Sequence, residues 1–158
     1  MKSLMLNLVI AGIWVLLQAE ATLFTLVTGL ALGFGMLALF RDVLDSRHYV
    51  RRVTAAFAFL LLFMREFLAS CWRLIGAILW TPRARLRPRV ITYNITGLSR
   101  IEALLLSHCI SLTPGTTTVD ISPDFSRFTL HVLQCDDPEA VRATIDRTLR
   151  RGILAFTR

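Results

Sequence analysis

Arg65 and Glu66 stand side by side after Val53–Met64, twelve residues without a charge. Ionisable groups inside an apolar helix are costly and tend to be paired, shielded or used for ion traffic. This pair is therefore either a titratable step in an ion path, a mutually neutralising buried pair, or the solvated side of a helix lying in a membrane plane. A second stretch, Leu112–Ser122 (LTPGTTTVDIS), places Thr113, Pro114, Gly115 and Thr116 ahead of an alternating Val-Asp-Ile-Ser. A phosphate cradle would need a following helix N-terminus and a lysine, and a strand follows here. Pro114 fixes φ and Gly115 takes the positive-φ place, so the motif is expected to be a structural turn leading into a strand. Cys109 or Ser111 with His131 and Asp120 supplies the residue types of a nucleophilic triad. Asp120 and His131 could meet across a hairpin, but no elbow or oxyanion site accompanies them, and a polar outer strand face accounts for both. Cys71, Cys109 and Cys135 have no zinc or redox spacing, and His48, His108 and His131 complete no ligand set. Neither catalytic, cofactor nor metal residues are expected, and the chain does not read as an enzyme.

The elements that must carry these residues divide by charge. Residues 1–89 hold eleven Lys and Arg against four acids, and residues 90–158 hold seven of each. All of the net charge of +7 thus flanks apolar runs, the positive-inside pattern of a membrane protein rather than a basic groove for nucleic acid. Residues 4–17 and 23–40 are apolar runs of about 21 and 27 Å as helices, against a hydrocarbon core of about 30 Å. They read as a transmembrane hairpin with helices over residues 4–19 and 22–40. A secretory signal with an Ala19-Glu20-Ala21 cleavage-like site is the alternative, which Asn7 and the immediate second span weaken. Gly29 and Gly33 have the small-xxx-small spacing that lets another helix approach. Residues 41–52 read as a charged linker, and 53–80 as a third helix of about 42 Å. Both flanks of that helix are basic, which favours an arrangement that does not span.

From Val90 the pattern is that of a soluble domain. Ile91, Tyr93 and Ile95 share one strand face. Ser99 and Glu102 form a capping box opening a helix apolar through Leu104, Leu105 and Cys109. The strand at 116–122 points Val119 and Ile121 inward and Thr118, Asp120 and Ser122 outward. In the next strand Phe128, Leu130 and Val132 alternate with Thr129 and His131. Asp137 caps and Pro138 begins a last helix burying Val141, Ile145, Leu149 and Ile153. The fold class expected is an α+β membrane protein. Residues 1–80 form a membrane region (transmembrane helical hairpin plus a third membrane-associated helix), 81–89 a basic linker, and 90–158 a small β-α-β-β-α cytoplasmic domain. A 69-residue domain without disulfides or metal has a marginal core and gains from docking.

Together these features resemble the E subunit of the bacterial Mrp/Mnh multisubunit cation/proton antiporters. The resemblance rests on Leu6-Asn7, Trp14, Arg65-Glu66, Arg87-Pro88, and above all on Leu112–Thr116, Val119–Ser122 and Leu130-His131 in order. Leu149-Arg150 stands where a Phe-Glu pair is usual, and Gln134 where Asp is common, so contacts of that last helix need not carry over. The resemblance implies an accessory subunit of a complex exchanging Na+ for H+ in the bacterial inner membrane, with other subunits and the bilayer as partners. It supports assembly and leaves open a share in the ion path. The alternative is an independent membrane-anchored module whose domain binds a cytoplasmic ligand.

Overall fold

The computed structural model describes residues 2–80 and 87–158. Most of the expected basic linker, 81–86, lies outside the described residues. The chain divides into two compact units, residues 1–54 and 55–158, with the division inside the third helix.

In the first unit, α1 (Lys2–Leu16) and α2 (Leu23–Leu39) form an antiparallel pair. Helix α2 starts where Thr22 and Thr25 exchange side-chain and backbone hydrogen bonds in a capping box. The link between the helices takes residues 17–22, so α1 stops short of residue 19. Gly29 and Gly33 lie against α1 itself: a Cβ on Gly29 would sit 3.1 Å from the Ala11 backbone, and one on Gly33 would strike the Asn7 side chain. The small-residue spacing thus serves the hairpin's own packing.

Helix α3 runs from Arg47 to Trp80, 34 residues, or about 51 Å. Residues 47–52, expected as linker, are its first turns. Arginine is a good helix former, so charge alone did not mark a break. The Ser46 hydroxyl donates to the Leu37 carbonyl at 2.6 Å and ties the end of α2 to the start of α3. By length and composition α3 is the described helix long and apolar enough to cross a membrane.

The second unit holds the rest of α3 and a three-stranded antiparallel sheet of order β1-β3-β2, with β1 Arg89–Asn94, β2 Thr116–Ile121 and β3 Arg127–Val132. Helix α4 (Arg100–Leu112) and the last helix cover one face. Ile91, Tyr93 and Ile95 are buried there with Phe128, Leu130 and Val132, as the alternation predicts. Two expectations fail. In β2, Thr118 pairs with Leu130 and Asp120 with Thr129, which leaves Val119 as a bulge residue, 62% exposed. The extra residue flips the alternation, and Ser122 turns inward to accept the N–H groups of Ser126 and Arg127. In α4 the buried face is Ala103, Leu106 and Ile110, while Leu104 and Leu105 stay exposed. The capping box fixes the rotation of that helix, since its Glu102 is itself buried.

The last helix is three joined pieces: α5 (Pro138–Ile145), one π-helical turn (Asp146–Arg150) and α6 (Arg151–Thr157). Its apolar residues Val141, Ile145, Leu149 and Ile153 repeat every four. A helix turning about 100° per residue drifts about 40° at each such step. One wider turn takes up the accumulated drift and keeps Ile145, Leu149 and Ile153 buried together.

Candidate functional site

Residues flagged in α3 and in the Pro-Gly turn come together around one cavity. Glu66, Ser70 and Arg73 on α3, with Thr113, Gly115 and Thr116 of the turn, line a space of about 500 Å³. Gln134 lines it as well.

Glu66 does not pair with Arg65. Its carboxylate accepts from Arg73 Nη2 at 2.8 Å, and the same nitrogen donates to the buried Ser70 Oγ at 2.6 Å. Neighbouring helix residues point about 100° apart, whereas residues 66, 70 and 73 share a face. The Glu66 side chain is 19% exposed. Arg65 is exposed and makes no ion pair among the described residues. The i, i+7 spacing of Glu66 and Arg73 was the available signal for this contact.

The threonines of the turn spend their donors on the end of α4. Thr113 Oγ1 donates to the Cys109 carbonyl (2.8 Å), and Thr116 Oγ1 to those of Ile110 (3.0 Å) and Thr113 (3.1 Å). The same carbonyls also accept the Thr113 and Thr116 N–H groups, so the hydroxyls add second bonds at the end of the helix. Thr118 makes similar links, its N–H donating to Ser111 Oγ and its hydroxyl to the Ser107 carbonyl. Gly115 lies at φ +93°, a conformation that strains residues with a Cβ. Its carbonyl accepts the Leu133 N–H at 2.8 Å, fastening the turn to the end of β3.

Asp120 and His131 are both exposed and are not brought together. Asp120 lies opposite Thr129, and His131 opposite Thr117 and Val90. Cys109 is half-buried, and burial pushes its thiol pKa up. Among the described residues no cluster of three His, Cys, Asp or Glu could hold a metal ion.

Several long-range contacts had no local signal. Glu102, 4% exposed, receives the Arg158 guanidinium, the Ser99 N–H (2.7 Å) and the Thr157 hydroxyl (2.7 Å). The hydrogen bond from Arg158, then that from Ser99, bring its pKa down to about 2. Arg142 and Arg150 cover the free edge of β1, donating to the carbonyls of Thr92 (2.8 Å), Asn94 and Thr96 (both 3.2 Å). Beside them the Tyr93 hydroxyl donates to Asp146 at 2.6 Å. In the first unit, buried Asn7 donates to Tyr49 Oη at 2.8 Å, and Trp14 Nε1 to Thr28 Oγ1 at 3.2 Å.

A family model described as MNHE, Na+/H+ ion antiporter subunit, matches residues 7–156. This chain belongs to that family. The E subunit of the Na+/H+ antiporter of Alkalihalophilus pseudofirmus is 31% identical over 155 residues, covering 98% of each chain. The corresponding E subunit of Bacillus subtilis is 24% identical over 155 residues, again 98% of each. Two solved structures share the fold. A chain of the Mrp complex from Dietzia sp. aligns with TM-score 0.51 and 24% identity over 63% of this chain and 93% of its own. A chain of an archaeal membrane-bound sulfane sulfur reductase aligns with TM-score 0.57 and 20% identity over 96% of both. This MNHE member has Arg150 at the position where the family resemblance led us to expect an acid, and the arginine has its own role on the β1 edge.

Proposed function

We propose that this subunit works in assembly: it joins other subunits of a multisubunit Na+/H+ antiporter in the bacterial cell membrane and carries a small cytoplasmic domain there. Na+ and H+ are handled by the complex, and Glu66 is a structural anion. The carrying observation is that Glu66 is neutralised by Arg73, on its own helix, in a wall of the domain's own cavity that the Pro-Gly turn also lines. The hairpin supports the same reading. Helices of 15 and 17 residues reach about 22 and 26 Å, short of a bilayer core of about 30 Å, and neighbouring subunits can supply what they lack. The excess of arginine on both sides of α3 and in 81–89 favours the cytoplasmic side for the domain.

The test has two arms. A tagged chain purified in mild detergent is expected to bring very hydrophobic subunits with it. Glu66→Gln, which keeps shape and removes the charge, is expected to lower the stability of the assembled complex and leave cation-dependent proton exchange unchanged across pH. A fully stable Glu66→Gln complex with a displaced pH profile would instead put Glu66 in the ion path.

A further inference from the structure

Helix α3 carries three different faces. Taking about 100° per residue, one face holds Phe59, Phe63, Ser70 and Leu74. Phe63 is buried in the domain core, Phe59 stacks at 5.6 Å on Phe156, and Gly152 of α6 fits against the Phe59 ring. The domain thus packs against the side of α3 at Phe59 and Phe63, and farther along Ser70 and Leu74 line the cavity beside it, so it is not hung from the helix end. A second face, centred about 140° away, bears Phe57, Leu61, Met64, Leu68, Ile75 and Leu79, all exposed. No charged or strongly polar residue interrupts this stripe over more than six turns. Arg65 lies just past its edge away from the domain. The third face, from Arg65 round to Arg73, holds the small residues Ala58, Ala69 and Gly76, with Leu62 and Trp80 nearer Arg73. Trp72, 79% exposed, marks the boundary between the stripe and that face.

A helix crossing the bilayer here would drag the docked domain, with its polar sheet face and edge arginines, into hydrocarbon. The part of α3 before Phe59 is 12 residues, about 18 Å, which is too short to cross alone, and it carries Arg47, Arg51 and Arg52. An apolar stripe rimmed by arginine and tryptophan is the pattern of a helix lying in the interface plane, with the arginines reaching lipid phosphates. We infer that residues 57–79 of α3 lie along the membrane surface, their Phe57-to-Leu79 stripe sunk in the acyl boundary and the domain held above it on the adjacent face. This rests on the chain being a membrane subunit, but not on which subunits it contacts.

The test is a nitroxide scan of the full-length chain in its purified complex, reconstituted in phosphatidylglycerol/phosphatidylethanolamine nanodiscs. The native cysteines are replaced, and single labels are placed at 60, 61, 64, 65, 68, 69, 72, 75, 76 and 79. Collision with oxygen reports lipid, and collision with a water-soluble nickel chelate reports water. In-plane placement predicts a ratio oscillating with the helical repeat, with equal lipid maxima at 61, 64, 68, 75 and 79 and water maxima at 65, 69 and 76. A smooth rise and fall along the sequence means that α3 spans and overturns the inference. So does a stripe that neither reagent reaches, which means another subunit covers it. Both outcomes leave the co-purification result untouched.

Discussion

Replacing Glu102 by Gln tests whether one buried carboxylate ties the capping box of α4 to the chain's last residue. The carboxylate is 4% exposed and is met by Ser99, Thr157 and Arg158. Its pKa falls from an ordinary 4.5 to about 2, a difference equivalent to about 3 kcal/mol of folding stability. The Arg158 side chain is 58% exposed, so solvent screening reduces this to about 2 kcal/mol. For a domain of this size that is a melting-temperature loss of about 8–16 °C.

The sign with pH follows from the direction of the shift. A carboxyl whose folded pKa is depressed contributes fully above its unfolded pKa and loses that contribution as pH falls towards the folded one. The contribution of Glu102 is therefore whole at pH 6 and declines between pH 4.5 and about pH 2. Asp124, held at about 2 first by the Ser122 and then by the Ser126 hydroxyl, titrates in the same window, so the wild type alone does not isolate Glu102. The difference between wild type and Glu102→Gln does. Thermal melts of the detergent-purified full chain at pH 7, 5 and 3.5 should show a gap that is widest at pH 7 and 5 and shrinks at 3.5. Equal melting temperatures at pH 7, or a gap that widens in acid, would refute the reasoning.

Gly33→Val should overpack the hairpin against Asn7, costing about 1–3 kcal/mol, and lower the amount of subunit recovered in membranes; wild-type recovery would contradict this. Gly152→Leu drives a side chain into the Phe59 ring and should expose the α3–α6 contact to proteolysis, with Phe59→Ala in the same chain restoring protection if the clash is the cause. Gly115→Val places a β-branched residue at φ +93°, a strain of about 1–3 kcal/mol, so the variant should be poorly incorporated into the complex. Normal levels and normal thermal stability of an assembled Gly115→Val complex would show that the turn tolerates it.

Sequence signals were sufficient where the cause is local. Ser99 with Glu102, Asp137 with Pro138, and Pro114 with Gly115 each act within four residues, and each stands in the structure where its chemistry requires. The strand faces of β1 and β3 were legible for the same reason, since a period of two is written in the chain. The candidate site was half legible. Glu66 and the Pro-Gly turn were identified, but the partner of Glu66 was not Arg65, because adjacency in sequence is divergence on a helix. The bulge at Val119 left no mark, because β2 keeps an alternating pattern through a residue that the ladder skips. Nor could sequence show that Glu102 would hold Arg158, a contact spanning 56 positions.

The last helix was read from the spacing of Val141, Ile145, Leu149 and Ile153 as an ordinary one, and its irregularity was not foreseen. On a regular α-helix that four-residue repeat drifts about 120° over its three steps, which a wider turn takes up. The structure sets that turn at Asp146–Arg150. There it brings Asp146 to the Tyr93 hydroxyl and Arg150 to the carbonyls of Asn94 and Thr96. The same irregularity that keeps the apolar residues in register therefore aims Asp146 at the Tyr93 hydroxyl and the Arg150 guanidinium at the free edge of β1. An unpaired strand edge invites pairing with other chains, and this one is closed by its own last helix.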